Sequence, residues 1–194
     1  MVGVMLPWLI RNQVQVRTFR PTTSDGLTLV AVYGPRSQAV GTFVDPVFSP
    51  VYGDLDHRLA QFDEAKWNEK LTKEAIDGLK QNPGYIGHTI QQNFRGYFEL
   101  DTSLNRFPED SDGRNWRVRQ DTLPLFFLVT VAGLVGLVRR RRDPRVIVLA
   151  VITAQFVALS LVLVAPPRLR TPFDLAMAIG AGLLVGELLD RRAA

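Results

Sequence analysis

Hydrophobic residues follow two different patterns along this chain, and the change falls near residue 120. Beyond it, three apolar runs at 122–138, 146–165 and 172–189 succeed one another with only short charged or proline-rich breaks. Each comes close to the roughly 20 mainly apolar residues that cross a hydrocarbon layer about 30 Å thick. The first is slightly short, and Pro124 falls in its first turn, where a missing N–H is tolerated. The second is the most apolar stretch, with Gln155 its one strongly polar residue. The third carries Asp174 and Glu187 near its two ends. Its Gly180, Gly182 and Gly186, with Ala176, Ala178 and Ala181, offer small-residue surfaces for close helix packing. Packing within the protein explains these better than a dimer motif.

Before residue 120 the apolar residues are sparser and interrupted. Residues 1–10 form an apolar stretch about half the length of a span. Between 14 and 60, Val14, Val16 and Phe19, then Leu27, Leu29, Val30 and Val32, have the alternating or continuous character of short strands. Asp25-Gly26, Gly34-Pro35, Asp45-Pro46 and Tyr52-Gly53-Asp54 supply turn signals. A helix is predicted over 62–81 from Phe62, Ala65, Leu71, Ala75 and Leu79, supported by the Glu69/Lys73 pair and closed by Asn82-Pro83-Gly84. A second is predicted over 85–100, with Ile86, Ile90, Phe94 and Tyr97 along one stripe, packed on its own domain or lying on a membrane surface. Residues 101–118 read as a polar, extended link. The predicted fold class is a membrane α-helical protein: three C-terminal transmembrane helices preceded by a small α+β extracytoplasmic segment.

Charge sharpens this division. Residues 1–118 hold thirteen Lys and Arg against fourteen Asp and Glu, whereas residues 119–194 hold ten Arg against five acids. The overall net charge of +4 therefore belongs to the membrane part and does not indicate a nucleic-acid partner, whose charge would cluster on a soluble face among aromatics. Arg139-Arg140-Arg141-Arg142 sits between two apolar runs, where cytoplasmic anchors sit. The loop 139–145 and the C-terminal Arg191 and Arg192 are thus expected on the cytoplasmic side of a multi-pass cell-membrane protein. Residues 11–121 and the loop 166–172 are expected outside, and a segment as long as 11–121 translocates largely regardless of its charge. For 11–121 to lie outside, something must cross before it, so residues 1–10 read as the outer end of a truncated transmembrane helix. The chain has no cysteine, and its start lacks the basic flank and cleavage site of a secretory signal.

Few residues carry a chemical signal. Arg168 and Arg170, in the expected outer loop, run against the positive-inside tendency. Guanidinium forks match phosphate oxygens, so the two are candidates for holding a lipid phosphate; ordinary snorkelling to headgroups is the plainer reading. Asp174 either joins that site or serves as a first-turn acid favoured by the helix dipole. Asp54, Asp56 and His57 cluster in one turn, most simply a solvated one, and His88 fits a helix surface. The acids between Glu64 and Glu74 read as a solvated helix face, and the four consecutive arginines also suit anionic lipids. No phosphate-cradling glycine loop, HExxH or nucleophile elbow is present. No cofactor or metal is expected.

Four segments, in order, resemble the C-terminal portion of the polytopic GT-C glycosyltransferases, in particular the family 39-like bacterial enzymes related to protein mannosyltransferases and aminoarabinose transferases. Pro7-Trp8-Leu9-Ile10-Arg11-Asn12 is similar to their "PW-x-x-RN" signature, and Thr22-Thr23-Ser24-Asp25-Gly26-Leu27-Thr28-Leu29 to the following "ST-x-x-G-x-x-L" segment. Residues 64–83, with Glu74-Ala75 and Asn82-Pro83-Gly84, resemble an "E-A … NPG" helix. Pro167-Arg168-Leu169-Arg170-Thr171-Pro172 resembles the "RY-R-x-P" element between the last spans, with Leu169 in place of the aromatic. Leu29-Val30-Ala31-Val32-Tyr33-Gly34 departs from the "L-x-x-G-N-N" frequent at that point.

The resemblance covers nearly the whole chain. It implies transfer of a sugar from a polyprenyl-phosphate donor outside the cytoplasm, with membrane lipid and an N-terminal transferase half as further partners. It also implies that the catalytic acids belong to a first outer loop that this sequence does not contain. Two other functions compete: a non-enzymatic membrane module whose outer domain binds a cell-envelope glycan or a partner protein, and a transporter subunit. The transporter has only Gln155 near mid-membrane to support it.

Overall fold

A computed structural model of the 194-residue chain describes residues 2–22, 24–47, 49–53, 63–105, 115–165 and 167–193. It divides into two compact units, Met1–Thr89 and Ile90–Ala194. Among the described residues both are helical and neither contains a strand.

The first unit corrects the expected α+β segment. Its helices are α1 (Val2–Gln15), α2 (Asp25–Tyr33), α3 (Pro35–Val40) and α4 (Glu64–Gln81), and α5 (Tyr85–Tyr97) begins in it. Val14, predicted in a strand, lies on α1, which runs five residues past the expected end of the apolar stretch. Asn12 holds the chain as it leaves α1, its Nδ2 donating to the Arg20 carbonyl at 2.8 Å, and the Trp8 indole N–H donates to the Pro21 carbonyl at 2.8 Å.

The run predicted as a strand at 27–32 is α2. A short continuous apolar run suits a buried strand or a buried helix equally, and tertiary cover decides. Here Val30, Ala31, Val32 and Tyr33 are all buried, because α4 packs along α2 and the α3 segment closes another side. Gly26 marks the closest approach: its N–H donates to Asn68 Oδ1 at 2.6 Å, and a Cβ there would collide with the Asn68 carbonyl. The hydroxyls of Ser37 and Tyr52 lie 2.9 Å apart and reach the Val30 carbonyl at 3.0 and 3.1 Å, so the buried polar atoms are satisfied.

Helix α4 follows the predicted periodicity. Asp63 caps it by accepting from the Ala65 N–H at 2.9 Å, and Trp67, Asn68, Leu71, Ala75 and Gly78 form its buried face. Helix α5 divides its apolar stripe. Tyr97 is buried, whereas Ile86, Ile90 and Phe94 are exposed. The expected start of α4 at Phe62 lies outside the described residues, as do Asp54, Asp56 and His57.

The second unit carries three helices long and apolar enough to cross a membrane: α6 (Trp116–Arg139), α7 (Pro144–Val162) and α8 (Thr171–Ala193). The first starts six residues before its predicted bound, capped by Asn115, and the second ends three residues early. Asp143 caps α7, accepting from the Arg145 N–H at 2.9 Å, with Pro144 preorganised in the first turn. The outward faces are apolar: Leu128, Val131 and Val151 are each more than 60 % exposed, an arrangement suited to lipid rather than water.

The main contact is α6 against α8. Gly133 and Gly136 of α6 meet Met177 and Gly180 of α8 backbone to backbone, and a Cβ on any of the three glycines would strike a carbonyl across the crossing. Of the predicted small-residue surface on α8, Gly180 and Ala176 are used here, while Gly182 and Gly186 face open space. The core comprises Tyr97, Leu137, Val146, Phe173, Ala176 and Met177.

Candidate functional site

The end of the second unit opposite the arginine loop 139–145 holds the candidate site. Helix α5 runs into it and stops there. The Leu100 N–H donates to the Arg95 carbonyl at 2.8 Å, and Glu99 closes the turn with φ 58°. Glycine usually fills such a left-handed closing position; a glutamate in it carries backbone strain of about 1 kcal/mol or more. The strained turn directs the Glu99 side chain inward, where only 1 % of it is exposed. Asn93 fixes the same stretch by donating to the Leu161 carbonyl at 2.9 Å, at the end of α7.

Two arginines converge on this carboxylate. Arg119, in the first turn of α6, and Arg170, in the 3-10 turn Pro167–Arg170 that precedes α8, both pair with Glu99 Oε1. Arg170 also donates through Nε to Asp174 Oδ2 at 3.2 Å, with Oδ1 in ion-pair contact at 3.1 Å, and through a terminal nitrogen to the Tyr97 carbonyl at 3.3 Å. Its guanidinium stacks over the Phe126 ring with the carbon 4.3 Å from the centroid. Asp174 lies in the first turn of α8, where a negative charge is favoured. Two cations and two anions thus form a charge-balanced quartet, largely buried except at Asp174, whose side chain is 42 % exposed. Beside it, burial and the Asp174 carboxylate push the Tyr97 phenol up to about 12, with Arg170 opposing. The Tyr97 hydroxyl has no hydrogen-bond partner among the described residues.

Of the three residues singled out from sequence, the fold brings Arg170 and Asp174 together. Arg168 is exposed on the same turn, its carbonyl accepting from Thr171 Oγ1 at 2.9 Å. Glu99 and Arg119 were not anticipated. The available signal was an acid directly after Tyr97-Phe98, where a solvated helix end would hold something neutral or basic. The quartet can fix the turn that carries Arg168 and hold α6 and α8 in register. His88 is exposed, with Nε2 3.1 Å from the Gly41 carbonyl. No group of His, Asp and Glu among the described residues could hold a metal ion. No protein family, curated protein or solved structure matches the chain.

Proposed function

We propose that this chain is the C-terminal part of a membrane glycosyltransferase of the GT-C type, transferring a sugar from a polyprenyl-phosphate donor on the extracytoplasmic side. The reading is supported by the ordered set of four sequence signatures and carried by one structural observation: the turn with Arg168 and Arg170 sits directly before a membrane-length helix. In this reading the arginine loop 139–145 is cytoplasmic, and the quartet lies at the outer surface, at the depth of lipid phosphates. Arg168, exposed, presents its guanidinium fork to the donor phosphate. Arg170 and Asp174 are positioning residues that hold the turn through Glu99. The catalytic acids come from an N-terminal part with further spans, as the resemblance implies.

The second reading is a non-enzymatic module whose outer domain binds a cell-envelope glycan or partner protein. Sugar transfer from a polyprenyl-phosphate donor separates the two. It is measured in membranes holding this chain alone and in membranes also holding the N-terminal half of such a transferase. Transfer is expected only with both parts, and Arg168→Ala should then weaken use of the donor. Transfer by the chain alone would move the catalytic acids into this sequence. No transfer in either membrane, with the chain inserted and folded, would leave the binding module.

A further inference from the structure

Helices α6 and α7 are joined by a short loop but touch each other little; each packs on α8 instead. A groove of about 760 Å³ remains between them, floored by Phe173, Ala176 and Met177 of α8. Its α7 wall carries Ala150, Ala154 and Ala158, four residues apart, among the bulkier Val146, Ile147, Val151, Val157 and Leu161. The lining is hydrocarbon except at Thr153 midway and at one end, where the groove reaches Val138 and Arg141. The same two residues line a second cavity of about 480 Å³, completed by Arg139, Arg140, Arg142 and Asp143. The two cavities thus adjoin, joining an apolar trough at membrane depth to a cup lined by four consecutive arginines and Asp143.

Charge at this end is unbalanced. The stretches 139–145 and 187–192 contain seven arginines and three acids. Of those acids, Glu187 is shared by Arg139 at 3.3 Å and Arg191 at 2.6 Å, and Asp143 caps α7. Arg140, Arg141 and Arg142 are exposed. Basic pockets between membrane helices attract anionic headgroups, with each nearby arginine contributing about 1 kcal/mol, or roughly fivefold in affinity.

We infer that this pair of cavities binds one anionic phospholipid from the leaflet on the arginine-loop side, its phosphate in the arginine cup and an acyl chain in the groove between α6 and α7. An additional protein helix in the groove would satisfy the apolar walls but leave the cup's positive charge unmatched. The site is separate from the Arg168 turn and does not depend on the glycosyltransferase reading.

The test uses the full chain in phosphatidylcholine nanodiscs with a trace of photoactivatable phosphatidylglycerol carrying a mid-chain diazirine, and in parallel the phosphatidylcholine analogue. Crosslinked residues are mapped by mass spectrometry. The phosphatidylglycerol probe is expected to label Ala150, Ala154 and Ala158 in preference to Val148, Ile152 and Leu159, which are exposed on α7 but do not line the groove. Arg141→Gln should lower that labelling about fivefold, toward the phosphatidylcholine level. Ala154→Phe should block the groove for both probes. Equal labelling of the two α7 faces, equal labelling by the two lipids, or no effect of Arg141→Gln would each overturn the inference. If a further helix fills the groove, labelling there is absent, which also overturns it. Because Arg141 is exposed, its replacement leaves the fold intact, and the wild-type map and this variant decide the matter even if Ala154→Phe fails to fold.

Discussion

The two ends of the three-helix unit are both rich in arginine and treat it in opposite ways. At one end Arg119 and Arg170 are largely buried, with side chains 11 % and 14 % exposed, and share the carboxylate of Glu99. At the other, Arg140, Arg141 and Arg142 are exposed, and the surplus of positive charge is left to the surroundings. The first end neutralises Arg119 and Arg170 inside the fold while Arg168 stays exposed, and the second leaves Arg140, Arg141 and Arg142 to lipid or solvent. A count of arginines does not separate the two cases. What separates them is an acid that arrives from elsewhere in the chain, 20 residues from Arg119 and 71 from Arg170.

The largest expected effect therefore falls on Glu99. Glu99→Gln keeps the shape and removes the charge, leaving two guanidinium groups facing each other in a poorly hydrated place. Breaking a buried pair from one side costs about 3–5 kcal/mol. Denaturant unfolding in detergent should show a loss of that size, and the double variant Glu99→Gln/Arg170→Gln should lose less than the sum of its singles because the two groups are coupled. A loss below about 1 kcal/mol for Glu99→Gln would mean that the quartet is hydrated, and the contrast between the ends would collapse.

Tyr97 gives a second, smaller test of how dry that end is. Its folded-state value of about 12 lies above the ordinary tyrosine value near 10. Between those values the unfolded chain has released a proton that the folded chain keeps, so the unfolded state binds fewer protons and stability falls as pH rises through the window. Tyr33, Tyr52 and Tyr85 are also raised by burial and add to the same alkaline loss. Tyr97→Phe removes a buried hydroxyl that has no partner among the described residues, so at neutral pH it should be neutral or stabilising by up to about 1 kcal/mol. Unfolding curves at neutral and alkaline pH should also show a shallower alkaline decline than in the wild type. An unchanged decline would show that Tyr97 titrates as if solvated.

The contrast also explains which parts of the molecule were legible from sequence. The three membrane-length helices follow from apolar run length alone, and α4 follows from its period, because those signals are local. The stretch at 27–32 was misread because Val30, Ala31, Val32 and Tyr33 are buried on all sides, and a continuous run holds no periodic mark of helix or strand. Gly180 was recognised as a small-residue surface, but its partners Gly133 and Gly136 lie in a run where glycine looks merely apolar. Arg170 and Asp174 pair at i,i+4 and could be read locally. Glu99 could not: its role depends on a left-handed turn at the end of α5 and on two distant helix starts.

The smallest expected effect lies at the arginine-loop end, and its smallness is informative. Arg139 bonds Glu187 at 3.3 Å, but the two side chains are 43 % and 24 % exposed, and Glu187 has a second partner in Arg191 at 2.6 Å. An exposed pair gains little because water and salt screen it and two long side chains must be held still. Arg139→Gln should therefore change unfolding stability by less than about 1 kcal/mol, and that small change should fade further as salt is raised. The same charge removal at Glu99 is expected to cost several times more. The ratio of the two losses, measured in one detergent at one ionic strength, is a sharper quantity than either alone, because the detergent's own contribution largely cancels. A ratio near one would place both ends in the same dielectric surroundings, and the exposed arginines would then be structural in the way that Arg119 and Arg170 are.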